Sequence, residues 1–229
     1  MKQLGFDFLY NNDRYNANNF IVFDSNEEAY YFLNKNKDEE NILKHQLIFL
    51  SGEKKCGKTH LGMIWKQKHN AKNINFEELF KLDLNDFISK VNNTIEQFDY
   101  YLLDNLKENF NEEKLFYLLN TILNNNSSIL IISEFNIFKK TIKLKDLKSR
   151  IHSGINLKIK HLSKNIKNMF IIKLFSDRLI YVNGDVLKYL VKKLDTNYLN
   201  IYNFVTTIDN TLVEDGNKLN LKFIKDLLK

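Results

Sequence analysis

"LIFLSGEKKCGKTHLGMIW", residues 47–65, decides the fold. Within it, residues 52–59 read GEKKCGKT and satisfy GxxxxGK[ST] in full. The pattern has a mechanism only between a strand and a helix, and both are legible. "HQLIFLS" (45–51) reads as a buried strand, and "KTHLGMIWKQKH" (58–69) as a helix with Leu61, Ile64 and Trp65 on one face. Gly52 and Gly57 let backbone amides turn inward as an anion nest. Lys58 reaches outer phosphates, Thr59 offers its hydroxyl to magnesium, and the helix dipole adds positive potential. A match by chance in such a chain has odds of about 1% or less, so a phosphate loop is favoured over a bare turn. Lys55, Cys56 and His60 complete the expected nucleotide contacts, with Cys56 read as a small loop residue rather than a reactive thiol.

Such a loop needs an acid at the tip of a neighbouring strand to organise the metal. "FDYYLLD" (98–104) reads as a second buried strand and supplies Asp104, so Thr59 and Asp104 form the expected metal pair. The next residue is Asn105. A carboxylate there could polarise an attacking water, whereas an amide can orient water without taking its proton. Holding a nucleotide is therefore favoured over hydrolysing it.

Working outward, residues 26–33 read as a helix, "EEKLFYLLNTILN" (112–124) as a strongly amphipathic helix, and "SILIIS" (128–133) as a third strand. The middle, between residues 70 and 97, is ambiguous. Strands alternating with helices predict a parallel sheet covered on both faces. From about residue 163 only helical patterns remain: 164–177, 184–194, 200–212 and 220–229 each carry an apolar stripe at three-to-four spacing. The expected fold class is thus α/β, a nucleotide-binding core with a parallel sheet, followed by a small all-α domain. The expected boundaries are 1–12 for an N-terminal peptide, 13–161 for the α/β domain and 162–229 for the helical one.

Bulk composition narrows the function. The chain has 229 residues, 44% of them hydrophobic, with 18 Phe and 11 Tyr, enough for a sizeable core. A single Cys excludes an internal disulfide, and no apolar run nears the length of a membrane helix, so a cytoplasmic protein is expected. The net charge of +6 invites a nucleic-acid reading. It carries little weight, because Lys is spread from end to end in a chain with no Pro and seven Gly, a profile of AT-rich coding. Only Arg14, Arg150 and Arg178 remain, and a planar guanidinium is what Lys cannot imitate.

In order and spacing, "FIVFDSNEEAYYFL" (20–33), "GKTHLGMIW", "LLDNL", "ILIISE" and "LKDLKSRIHSG" (144–154) resemble the AAA+ module of the DnaA replication initiators. The resemblance runs from residue 20 nearly to the end, and is nearest to the Hda-type regulators, which consist of that module alone. It implies an AAA+ core with a helical lid, ADP or ATP as ligand together with Mg2+, and Phe20 and Ile21 near the base. It implies that Arg150 is an arginine finger acting in trans, and the catalytic candidate Asn105 matches the "DN" that such regulators commonly show after the strand. "QLGFDF" (3–8) is similar to the peptide with which such regulators dock on the DNA polymerase sliding clamp, Gln3 fixing register and Leu4, Phe6 and Phe8 filling a groove. Two departures stand out. Leu199 occupies the place of the family's nucleotide-sensing lid Arg, and Glu134 that of its polar strand-tip sensor.

The expected function is a clamp-docked regulator that stimulates hydrolysis of ATP held by DnaA, with weak hydrolysis of its own. DnaA and the clamp are the expected partners, DNA contact is indirect, no membrane is involved, and homo-oligomerisation stays open. The alternative is a DNA-engaged, initiator-like or helicase-loading ATPase. A small-molecule P-loop kinase would need an Arg-rich lid, which the Arg-poor C-terminal half lacks.

Overall fold

The computed structural model describes residue 15 and residues 17–34, 46–95, 98–215 and 219–227. These fall into two compact units. One takes the residues up to Gly52 together with Gly57–Ile159, the other Glu53–Cys56 and the residues from Lys160 onward.

In the first unit, α1 (Glu27–Leu33) precedes β1 (Leu47–Ser51), α2 (Lys58–His69), β2 (Lys72–Asn75), α3 (Phe76–Lys81), α4 (Leu84–Ile95) and β3 (Tyr100–Leu106). Then follow α5 (Glu112–Asn124), β4 (Ser128–Ser133), α6 (Lys145–His152) and β5 (Ile155–Lys158). All pairings are parallel, in the order β2-β3-β4-β1-β5. Because β1 and β4 are central, every residue of both is buried, which is why they read in sequence as unbroken apolar runs. Between Leu103 and Leu106 the register of β3 slips against β4, a bulge that falls on Asp104 and Asn105.

Packing over the sheet is close. Gly154, in the turn into β5, has no room for a side chain: an added Cβ would lie 2.7 Å from the Leu47 carbonyl oxygen. Tyr101 in β3 is fully buried, and its hydroxyl donates to the Ile95 carbonyl (2.8 Å) while accepting from the Phe98 N–H (3.1 Å). That one phenol satisfies both ends of the connection from α4 to β3, groups that burial would otherwise leave unpaired at a cost of about 1–3 kcal/mol each.

Asparagine punctuates a chain poor in Gly and lacking Pro. Asn75, Asn111 and Asn183 cap helices by accepting from Glu78, Lys114 and Val186 N–H, as short polar side chains do at helix starts. Asn70, Asn105 and Asn126 take positive φ, the role usually left to glycine.

The second unit contains α7 (Lys167–Ser176), α8 (Gly184–Lys193), α9 (Tyr198–Asp215) and α10 (Leu221–Leu227). Phe170 and Phe175 of α7, Leu190 of α8 and Ile201 and Val205 of α9 are buried. Arg178 lies just beyond α7. Its guanidinium donates to the Leu174 carbonyl (2.8 Å) and the Thr206 hydroxyl (2.9 Å), sits 3.4 Å from the Asp209 carboxylate, and covers the Tyr202 ring at 5.2 Å. The guanidinium thus ties α7 to α9 within the helical unit, a bracing role that Lys could not fill.

Candidate phosphate-binding site

β1 delivers the chain into the loop at Gly52, and α2 receives it at Lys58. The turn at the tip closes by a Cys56 N–H bond to the Glu53 carbonyl, with Lys55 at φ 63°. Gly57 follows at φ 101°, a value an L side chain adopts only under strain. As the residue before α2, Gly57 brings no side chain to cap it, so the first N–H groups of a 12-residue helix face outward as anion donors.

Lys58 is 8% exposed, and its ammonium donates to the Gly52 carbonyl at 2.8 Å, folded back over the loop it serves. The Thr59 hydroxyl donates to Asp104 Oδ2 at 2.8 Å. Two oxygens from loop and sheet therefore converge on one point at the tip of β3, although β4 lies between β1 and β3. The bulge of β3 accounts for the aim. Asn105, exposed at φ 65°, absorbs the extra residue and leaves Asp104 paired with Asn75 on the other side. Asn is among the few residues other than glycine that visit this left-handed region routinely.

Beside the start of α2 is an aromatic group that sequence spacing did not foretell. Phe20 stacks on Tyr30 (5.5 Å, 5°) and meets His60 edge-on (5.1 Å), which in turn meets Tyr15 at 5.4 Å. The Phe20 ring also adjoins Gly57, 3.4 Å from where a Cβ would stand. Ile21 is held through its carbonyl, which accepts from the buried Asn26 amide at 3.1 Å, while Asn26 Oδ1 accepts from Phe23 N–H. Phe20, Ile21, Gly52, Gly57, Lys58, Thr59, His60, Asp104 and Asn105 all belong to the first unit.

Lys55 and buried Cys56 group with the helical unit instead. There the Lys55 ammonium lies 4.1 Å from the Tyr202 ring centroid and the Glu53 carboxylate pairs with His161. Leu199, in the first turn of α9, is half-buried, and Glu134 beyond β4 is exposed. Arg150 is exposed near the end of α6, with its Nε donating to Asn120 Oδ1 at 2.8 Å. Gln3, Leu4, Phe6, Phe8 and Arg14 lie outside the described residues.

The chemistry available is that of a polyphosphate cradle. A glycine-opened nest, a buried ammonium and a hydroxyl–carboxylate pair suit an anion with a divalent counterion, and Asn105 offers no base. Among the described residues no helix is long and apolar enough to cross a membrane.

No protein-family profile matches the chain. Two curated relatives are chromosomal replication initiator DnaA proteins of Buchnera aphidicola. That of subspecies Cinara cedri is 26% identical over 235 residues, covering 95% of this chain and 53% of the relative. That of subspecies Baizongia pistaciae is 29% identical over 206 residues, covering 81% and 44%. The chain thus spans about half the length of the curated relatives it matches. Domain III of Thermotoga maritima DnaA superposes with a TM-score of 0.76 at 19% identity, covering 94% of this chain and 95% of that one. A DnaA solved with AMPPCP and single-stranded DNA superposes at 0.67 and 21%, covering 89% and 68%. The strand order, the loop with its acid and the likeness along nearly the whole chain agree: the chain is similar in sequence to DnaA proteins and has the fold of DnaA domain III.

Proposed function

We propose that the protein is an adenine-nucleotide-binding regulator of replication initiation that acts on DnaA. Nucleotide phosphates lie in the nest of residues 52–59 against Lys58, with the base near Phe20 and Ile21. Thr59 and Asp104 fit a magnesium ion, since their oxygens already converge at 2.8 Å. That ion supplies charge neutralisation to the phosphates when bound. Asn105 orients water but takes no proton, so the protein's own nucleotide is held rather than consumed. Residues 162–229 serve as a lid that responds to the nucleotide.

The observation that carries the reading is Arg150, exposed on α6 and, among the described residues, held at Nε alone. Its two terminal nitrogens remain to meet phosphoryl oxygens on another molecule, where an arginine finger is worth about 10³–10⁵ in rate. The substrate is ATP bound to DnaA, and its hydrolysis switches the initiator off. Residues 3–8 tether the protein to the sliding clamp, in the cytoplasm. The test follows labelled ATP held by DnaA in the presence of DNA-loaded clamp. Removing residues 1–8 should abolish both stimulation and retention on clamp-coated beads. Undiminished stimulation without them would remove the clamp from the account.

A second reading rests on the relatives, which are initiators, and on the DnaA solved with single-stranded DNA. In it this chain engages DNA itself, and its +6 charge matters. Tight DNA binding without clamp, weakening steeply with salt, would favour it.

A further inference from the structure

We propose that Glu112 and Asn120, both on α5, are positioning residues that set the location and aim of the Arg150 guanidinium; the inference rests on the trans-acting role given to Arg150 above.

α6 is a helix of 8 residues whose own N-cap, Leu144, has no side-chain acceptor to offer. A helix so short is marginal unless something outside it satisfies its first N–H groups. Glu112 holds the entry to it from α5: its carboxylate accepts the N–H of the N-cap Leu144 at 2.8 Å and of Lys143, the residue before it, at 3.0 Å. A charged acceptor at a helix N-terminus also opposes the helix dipole favourably. α5 therefore fixes where α6 begins.

Eight residues along α5, Asn120 faces the last turn of α6 and accepts from Arg150 Nε at 2.8 Å. The choice of nitrogen matters. A guanidinium is a rigid planar fork, so one bond at Nε restrains its plane while the two terminal NH2 groups stay directed away from the stem. An acceptor on a terminal nitrogen would instead occupy the group that must meet phosphate. Leu147 and Ile151, buried on the inner face of α6, supply the packing that keeps the helix flush. The finger is thus carried on a helix pinned at its start by one side chain of α5 and at its reactive residue by another. A side chain reaching into another molecule's active centre gains most from such restraint, because a misplacement of about 1 Å can cost about a hundredfold.

The experiment is a double-mutant cycle on stimulated hydrolysis of ATP held by DnaA, with clamp on DNA, using the full chain. Asn120→Ala should lower stimulation about tenfold alone and have no further effect in the Arg150→Ala background, because its action runs through that residue. Asn120→Asp, which keeps an oxygen in place, should retain activity within about threefold of wild type. Glu112→Ala should lower stimulation like Asn120→Ala, and Glu112→Gln by less. Nucleotide binding at residues 52–59 should be unchanged in all four, which separates positioning from misfolding. A second readout is independent of partners: the Arg150 Nε–H resonance, detected by 15N NMR, should shift in Asn120→Ala. If Arg150→Ala abolishes stimulation while Asn120→Ala matches wild type, or is additive with it, the positioning role is overturned and the function stands. If Arg150→Ala has no effect, both fall.

Discussion

Replacing Gly57 by alanine isolates what the loop conformation contributes. At φ 101° the backbone lies about 40° beyond the centre of the left-handed region, where an L residue costs about 1–2 kcal/mol. Sterics add nothing, since the new Cβ would rest 3.4 Å from Phe20 Cε2, an ordinary contact. Reduced freedom of the unfolded chain returns about 0.4–1 kcal/mol. The expected net loss is about 1 kcal/mol. Trp65, the only tryptophan, is buried in α2 about two turns beyond the loop, so urea unfolding followed by its fluorescence reports this unit. With a slope of about 2 kcal/mol per M, the midpoint should fall by about 0.5 M. Nucleotide sharpens the comparison. At a hundred times Kd, ATP should stabilise the wild type by about 2.7 kcal/mol, whereas a variant that relaxes to negative φ turns its amides away and gains far less. An unchanged midpoint together with an undiminished ATP effect would refute the link between this dihedral angle and phosphate binding.

Two further outcomes follow from packing. Tyr101→Phe keeps the ring but strands the Ile95 carbonyl and the Phe98 N–H; it should cost about 1–3 kcal/mol in the same urea assay, and a loss under about 0.5 kcal/mol would show that water reaches those groups. Arg178→Lys keeps the charge but cannot reach the Leu174 carbonyl, Thr206 and Asp209 together. Amide exchange in α9 should quicken about tenfold or more, and unaltered exchange would mean the guanidinium braces nothing.

Legibility in the sequence followed burial. α2, α5 and β4 match their expected bounds residue for residue, because each is a long apolar pattern with sharp polar edges. β2 was hidden: in "KNIN" only Ile74 is buried, so nothing alternates, and the strand exists because β3 pairs with it. β5 is an edge strand of four residues with one buried side chain, Leu157, and fails for the same reason. α4 was legible in principle, with Phe87, Val91 and Ile95 four residues apart, but its Asn and Thr obscured the stripe. The sequence suggests that a chain short of Gly and Pro lacks punctuation; the caps at Asn75, Asn111 and Asn183 show that asparagine supplied it. For the candidate site, the motif named Gly52, Gly57, Lys58 and Thr59 and its strand context named Asp104, and the structure brings Thr59 and Asp104 within 2.8 Å of each other. The bonds from Glu112 to α6 and from Asn120 to Arg150 span 32 and 30 residues and leave no local mark.

The central claim is that this chain lends a guanidinium to ATP held by another protein. Its most direct measurement is single-turnover hydrolysis of DnaA-bound ATP, with clamp on DNA and saturating amounts of wild type, Arg150→Ala or Arg150→Lys. Wild type should accelerate hydrolysis strongly, alanine should return it to the unstimulated rate, and lysine should recover little, lacking the planar fork. Equal acceleration by the alanine variant would contradict the account.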